Sequence, residues 1–398
     1  MKKTLLSSLM IAGLLAGCGG GGSTGGGIGS AGSGGSTGGA SGGGATKTLA
    51  GIVYSGSESF TTGQIQAQDL YTDGSTGAIS TVATYCNAGN DHGLIANTKI
   101  KTGEIYLYSL CRNSGQIVGW GIPTGSSPST NLTQVADFFQ GSSFIPAQAA
   151  ITLNGQYMFV AGENNTVVEF SVGTDGSLTS MGTVLSYSGS YGVYSIAISP
   201  SGNYLVLARA SSSGNTYYLD EYLVDSVNGG LSQVGTDVTV STLNTFGGMA
   251  PAPNTNNGDL IAYVTGQGGN QVLIINAGST WDSSNIVSHT LSSSVAAYGS
   301  PSFDVTGKYL MVGAEGISSE CSGSGQLRSY SIGSNGSSIT FNSFACGSVG
   351  TNNPVAYDST DNLLVNSMVW SLSVPSSPSA IRTGNPNVSG VYGQVFIP

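Results

Sequence analysis

Few side chains in this 398-residue sequence could do acid–base or redox chemistry, because only 10 Lys and Arg, 20 Asp and Glu and 2 His are present. His92 follows Asp91 in NAGNDHGLIAN, and an imidazole held by an adjacent carboxylate has the makings of a general base. The alternative is a loop histidine satisfied by backbone groups. Glu163, Arg209 and Glu315 each come at the end of a short apolar segment, and a guanidinium among so few cations suits bidentate capture of a carboxylate or phosphate. The bland alternative for Arg209 is a pair with an acid such as Glu221. Asp91, His92 and Arg209 are the catalytic candidates, and Glu163, Arg209 and Glu315 the candidates for a ligand-binding face. No phosphate-binding loop and no strand-to-helix turn for a nucleophilic serine is present.

The elements that would carry these residues repeat along the chain. LNGQYMFVAG (Leu153 to Gly162), PSGNYLVLAR (Pro200 to Arg209) and VTGKYLMVGA (Val305 to Ala314) each place a Gly two residues before a Tyr that opens an apolar run. Tyr157 and Tyr204 are one period apart, and Tyr204 and Tyr309 two, with NGDLIAYVTG (Asn257 to Gly266) as a weaker copy between. A period of about 50 residues made only of short strands implies a β-propeller, since one such sheet cannot bury both of its faces alone. The expected fold is all-β, a seven-bladed propeller over residues 47–398. Blade one has strands near Ala50–Tyr54, Gln64–Tyr71 and Ile79–Tyr85. Blade two runs from Gly93 to about Phe139, and later blades start near Ala149, Ser195, Gly248, Ser302 and Pro354. Degenerate copies in blades two, five and seven leave six or eight blades open.

Asp73-Gly74, Asp175-Gly176, Asn228-Gly229 and Asn335-Gly336 fall between outer strands and predict hairpins with φ > 0 residues. A calcium loop at these Asp residues would need further carboxylates that the spacing does not supply. The final segment GVYGQVFIP (Gly390 to Pro398) copies the innermost strand GVYSIAISP (Gly192 to Pro200), while blade one lacks such a strand. Val391–Ile397 is therefore expected to complete blade one, which removes the exposed edges of an open array.

Cys86 and Cys111 are separated by the same distance as Cys321 and Cys346. Cys111 and Cys321 precede Gln116 and Gln326, which open third strands; Cys86 and Cys346 follow Ile79 and Ile339, which open outermost strands. Both loop classes lie on one propeller face. This predicts Cys86–Cys111 joining blade one to blade two, and Cys321–Cys346 stapling blade six. Apart from Cys18, in the N-terminal leader region, four cysteines remain, and an even count behind such an export leader favours disulfides over metal, which needs closer ligand pairs. No metal or cofactor is expected.

Lys2 and Lys3 precede an apolar stretch, Leu5 to Leu15, too short for a permanent membrane span. It ends in Leu15-Ala16-Gly17-Cys18, which resembles the lipobox of bacterial lipoprotein precursors. The resemblance implies a signal peptide over residues 1–17, with cleavage before Cys18 and acylation of its thiol and new α-amine. Gly19, in place of the Asp that retains such proteins at the inner membrane, implies the outer membrane, facing periplasm or surface. Residues 19–46 are almost wholly Gly, Ser, Thr and Ala, a flexible tether with a root-mean-square span on the order of 30 Å. The formal net charge of −10 opposes nucleic-acid binding, because phosphate contacts need a basic stripe. A monomer is expected.

SPSGNYLVLA (Ser199 to Ala208), DVTGKYLMVG (Asp304 to Gly313) and FSVGTDGSLTSMG (Phe170 to Gly182) resemble the seven-bladed lactonase-type propellers, which include 6-phosphogluconolactonase-like proteins and cycloisomerases. That resemblance spans most of residues 47–398 and implies His, Arg and acidic side chains around one mouth of a central channel. Two functions follow: a lipid-anchored binding or scaffold module for a protein or glycan, or a lactonase-like hydrolase or isomerase. The sparse charge and the abundance of Tyr, Asn and Ser favour binding, so whether the chain is an enzyme stays open, leaning to no. Intact-mass measurement of membrane-extracted protein should show a chain beginning at acylated Cys18, and Cys18→Ser should abolish the modification; an unmodified terminus beyond Cys18 refutes the lipoprotein expectation.

Overall fold

The computed structural model describes residues 47–59, 62–72, 75–86, 91–97, 105–112, 114–122, 131–139, 141, 143–211, 216–241, 247–265, 271–291, 297–304, 306–314, 321, 325–346, 355–357, 362–365, 368–371, 379–383 and 391–397. The expectations for Cys18, Asp73-Gly74 and Glu315 lie outside them. The described residues form seven four-stranded antiparallel sheets. Sheet 1 holds β1 (Leu49–Ser59), β2 (Thr62–Tyr71) and β3 (Thr76–Tyr85). Sheet 2 holds β4 (Asp91–Asn97), β5 (Ile105–Cys111), β6 (Gln116–Ile122) and β7 (Thr133–Phe139). Sheet 3 holds β8 (Pro146–Ile151), β9 (Tyr157–Gly162), β10 (Thr166–Val172) and β11 (Leu178–Ser186). Sheet 4 holds β12 (Ser190–Ile198), β13 (Tyr204–Ser211), β14 (Thr216–Val224) and β15 (Leu231–Ser241). Sheet 5 holds β16 (Met249–Pro251), β17 (Leu260–Val264), β18 (Gln271–Asn276) and β19 (Ile286–Thr290). Sheet 6 holds β20 (Ala297–Phe303), β21 (Tyr309–Ala314), β22 (Gln326–Ile332) and β23 (Ile339–Cys346). Sheet 7 holds β24 (Val355–Tyr357), β25 (Asn362–Val365), β26 (Met368–Ser371) and β27 (Ser379–Thr383).

The last strand, β28 (Val391–Ile397), pairs antiparallel with β1 from Ile52↔Ile397 to Ser57↔Val391 and completes sheet 1. The innermost strands then touch in a closed cycle, β28, β4, β8, β12, β16, β20, β24 and back to β28. This is the all-β, β-propeller arrangement that the repeats predict, with the C-terminal strand where the sequence copy expects it.

The core lies between the sheets. Alternate side chains of a strand point to opposite faces, and in β13 Leu205 and Leu207 join a cluster with Phe159 and Val167 of sheet 3. The intervening Val206 and Ala208 join Ile261 and Leu273 of sheet 5. Both faces are thus covered, which is why these strands read as unbroken apolar runs rather than as alternating ones. Similar clusters fill the seams between sheets 1 and 2, 2 and 3, and 5 and 6. Leu205, Val206 and Leu207 are all fully buried, each worth roughly 1.5–3 kcal/mol relative to exposure.

The repeated Gly-x-Tyr is a turn between the first two strands of a sheet. Gly155, Gly202 and Gly307 have φ of 73°, 78° and 71°, which non-glycine residues adopt only at a cost. In all three turns the residue five before the closing carbonyl is hydrogen-bonded to the Tyr: Thr152, Ser199 and Asp304 donate backbone N–H to Tyr157, Tyr204 and Tyr309 carbonyls at 2.8–2.9 Å. Their side-chain oxygens accept the Tyr N–H in return.

The outer hairpins carry a second constraint that sequence alone does not reveal. Gly176, Gly229 and Gly336 all have positive φ, but of the residues before them only Asn335 shares it, so Asp175 and Asn228 depart from the doubly positive turn. Each glycine also lies against the preceding sheet. A methyl group on Gly176 would sit 2.2 Å from the Tyr106 ring, on Gly229 1.8 Å from the Glu169 carboxyl, and on Gly336 2.8 Å from Leu260. The hairpin expectation therefore holds for these three, and the glycine serves the seam as well as the turn. Asp175 is occupied by the Ser177 N–H and hydroxyl at 3.1 and 2.6 Å.

Deleting Val391–Pro398 leaves β1 without its inner partner and opens the cycle. The truncated protein should aggregate or lose cooperative unfolding at the native temperature; calorimetry showing an unchanged melting temperature would exclude closure by β28.

Candidate functional site

Turns between second and third strands, together with the connections from one sheet to the next, lie on one face of the propeller. Both disulfides form there, Cys86–Cys111 and Cys321–Cys346, with Cα–Cα distances of 5.5 and 5.3 Å. The first ties the end of β3 to the end of β5, and the second ties the β21–β22 connection to the end of β23, as the matched frames predict. Each closes a 25-residue separation, for which loop-closure entropy gives about 3 kcal/mol.

Arg112 directly follows the bridged Cys111 and reaches from sheet 2 to Glu163 of sheet 3 at 2.6 Å, with side chains 30% and 11% exposed. Glu163 is set in place by its backbone: its N–H donates to Ile145 at 2.9 Å, and Gly192 of β12 passes so close that a methyl group there would lie 2.7 Å from the Glu163 carbonyl. The register of β12 shifts between Val193 and Ser195, so Tyr194 is an extra residue of the kind that re-aims side chains. Its hydroxyl is raised above the ordinary tyrosine value by burial first, then by Glu163, with Arg112 acting in the opposite sense. Arg112, Glu163 and Tyr194 thus belong to one electrostatic group contributed by three sheets. Nearby on the innermost strands, Gln148 of β8 accepts from the Ser195 hydroxyl at 2.5 Å and the Ile196 N–H at 3.2 Å. Its amide donates to the Met249 carbonyl at 3.4 Å, so one side chain links sheets 3, 4 and 5.

Arg209 departs from expectation twice. It lies inside β13 rather than after it, and its partner is not Glu221. Its Nε donates to Asp220 at 2.6 Å, a terminal nitrogen also bonds Asp237, and the guanidinium stacks on Tyr187 and Tyr218 at 4.7 and 4.4 Å from the ring centroids. The physical reason is strand alternation. Tyr222 and Val224 face sheet 3, so Asp220 faces the same way, toward Arg209. Glu221 shares the face of Leu219, which packs on sheet 5. The register shift of β14 on β15 between Leu219 and Glu221 brings Asp237 to the same group. Burial raises the Asp220 carboxyl above its usual range, while Arg209 draws it back down. The Tyr187 hydroxyl is raised by burial and by Asp220. Arg209 is a packed, neutralised cation.

Asp91 and His92 begin β4 and do not precede it. Asp91 stands opposite Cys111, and the register shifts before Gly93, so the two residues start an innermost strand beside the bridge that precedes Arg112. The side chains of Asp91 and His92 and the whole of Glu315 lie outside the described residues. His289 lies in outermost β19, packs edge-on to Tyr330 at 5.3 Å, and is lowered by burial and by Arg328. Among the described residues no cluster of three metal-binding side chains occurs. Sequence reasoning missed Arg112, Tyr194, Asp220 and Asp237. Only the alternation of Asp220 and Glu221 in YLDEYL could have separated the two acids.

No family model and no curated protein matches the chain. Solved structures do. A candidate 6-phosphogluconolactonase from Bacteroides fragilis aligns with TM-score 0.63 and 14% identity over 89% of this chain and 99% of its own. Another from Bacteroides uniformis gives 0.62 and 13% over 87% and 99%. A protein from Lactobacillus plantarum gives 0.62 and 15% over 87% and 99%. The likeness shows the fold, a β-propeller, and nothing more; residue chemistry must decide the rest.

Removing the Arg209 guanidinium leaves Asp220 buried with its main countercharge gone, so Arg209→Met should lower unfolding stability by about 3–5 kcal/mol. Adding Asp220→Asn should recover part of that loss. Arg112→Met, at the more exposed pair, should cost about 1 kcal/mol or less. Urea denaturation of the four proteins checks the ranking.

Proposed function

We propose that the protein is a lipid-anchored, seven-bladed propeller of the bacterial cell envelope, tethered through Cys18 and residues 19–46. In this reading each of the seven sheets is one blade, the outer membrane is the site of attachment, and the disulfide-bearing face binds a protein or glycan. The observation that carries the binding reading is the state of the two described candidate residues. Arg209 is enclosed by Asp220, Asp237 and two tyrosine rings, and Glu163 is paired with Arg112. Turnover of a lactone needs a positioned base together with donors to a developing oxyanion, and side chains neutralised by their neighbours are poorly placed to supply them. What this face offers is the exposed part of Arg112 beside the Tyr194 phenol, on rigid strands tied by a disulfide, a combination suited to recognition.

The second reading, a lactonase-like hydrolase or isomerase, draws support from the two Bacteroides structures that share the fold. Fold is compatible with many chemistries, so the assay decides. Purified protein should show no saturable hydrolysis of sugar lactones, while retaining a specific envelope ligand whose binding weakens in Arg112→Met and Tyr194→Phe. Saturable turnover lost in both His92→Ala and Arg112→Met reverses the assignment in favour of the enzyme.

A further inference from the structure

Two glutamates lie inside the seams with no cation beside them among the described residues. Glu169 of β10 and Glu221 of β14 are 3% and 0% exposed. They occupy the same position in successive sheets: Val172 and Val224, three residues on from each, both donate N–H to the residue before the strand-opening Tyr157 and Tyr204. Each points forward to the next sheet. Glu169 abuts the Asn228-Gly229 turn of sheet 4, where only the missing Cβ of Gly229 leaves room for its carboxyl. Glu221 accepts the Gly278 N–H of sheet 5 at 3.2 and 3.4 Å. One oxygen of Glu169, Oε1, has no hydrogen-bond partner among the described residues.

The same slot is filled differently elsewhere. In sheet 5 it holds Ile274, 3.0 Å from where a methyl group on Gly336 would lie; in sheet 2 it holds Gly119, crowded by Tyr108. The fold therefore accepts an apolar group or none here, and a carboxyl is not required to build a seam. Of the titratable groups near Glu169, Tyr157 on β9 meets the same Gly229 position, and Asp225 lies in that turn, bonded to Gly230 and Val227. Those around Glu221 are Tyr204 on β13 and Asp259 in the β16–β17 turn, both electrostatically coupled to the site. None of these described groups is a cation, so an ionised carboxylate in either slot would be a buried charge without a described countercharge.

We propose that Glu169 and Glu221 are paired proton latches: neutral carboxyls close the seams joining sheets 3, 4 and 5, and their ionisation loosens this part of the ring. Burial raises both carboxyls, Glu221 to about 8 against an ordinary 4.5, with the Gly278 N–H opposing and Asp259 adding to the shift. A folded-state value above the unfolded one means that the seam contributes full stability below the unfolded value. That stability is lost as pH rises toward the folded value, because the unfolded chain releases its proton first. For Glu221 the window runs from 4.5 to about 8, so an envelope protein would respond to neutral and mildly alkaline surroundings.

The test is thermal unfolding of the full chain across that window, for the wild type, Glu169→Gln, Glu221→Gln and the double variant. Gln keeps the shape and cannot ionise. The wild-type melting temperature should fall by several degrees toward alkaline pH, with each single variant removing part of the slope and the double variant most of it. The gap between Glu221→Gln and wild type should widen up to a pH of about 8 and then stay constant. Parallel profiles for wild type and variants overturn the proposal. Infrared spectroscopy of the wild type supplies a reading that no variant is needed for: a protonated carboxylic-acid band should be present near neutral pH and disappear on alkalinisation. Its absence near neutral pH overturns the proposal even if the variants fail to fold.

Discussion

Sheets 2 to 5 are apolar on both faces, and that single constraint governs the remainder. A strand such as β13 sends Leu205 and Leu207 to one neighbour and Val206 and Ala208 to the other, so none of these sheets can be removed without exposing core on two sides. The array must close on itself to avoid leaving such a face in water. Pairing of β28 with β1 holds that closure, since the first and last strands then share one sheet.

Dense seams dictate where polar groups can go. Arg209 lies on the same face as Leu207, and a buried guanidinium is tolerable there only because Asp220, Asp237 and two ring faces surround it. Such an arrangement adds little net stability, because desolvation offsets most of the Coulomb attraction. Near the disulfide face the constraint relaxes, and Arg112 with Glu163 remains partly open to solvent. Arg209 is thus pinned among its neighbours, whereas Arg112 keeps part of its side chain in solvent.

The turns obey the same constraint from outside. Gly176 and Gly229 lie where the next atom would enter a tyrosine ring or a carboxyl of the preceding sheet. Hydrogen bonds from Tyr157 to the Val227 carbonyl and from Tyr108 to the Gly176 carbonyl fasten turn to sheet. Seams are thus locked by backbone carbonyls and tyrosine hydroxyls at the rim and by aliphatic contact within, a division that a chain with 19 Tyr and few charges is suited to make.

Much of the architecture was legible from periodicity. Gly-x-Tyr spacing marked the turns, the copy of GVYSIAISP in the final segment marked the closing strand, and equal cysteine frames marked both bridges. These signals are local or repeat at fixed intervals, so strand geometry alone carries them into space. The partners of the candidate residues were not legible. Arg209 and Glu221 are both acceptable partners in one dimension, but on paired strands they face opposite seams, and Asp220, one residue away, takes the place. Arg112 meets Glu163 across a gap of some 50 residues because the ring brings sheets 2 and 3 together. Which acid meets which base is decided by side-chain alternation and by register shifts such as those in β12 and β15. Those depend on how neighbouring sheets pack, and only the tertiary structure holds that information.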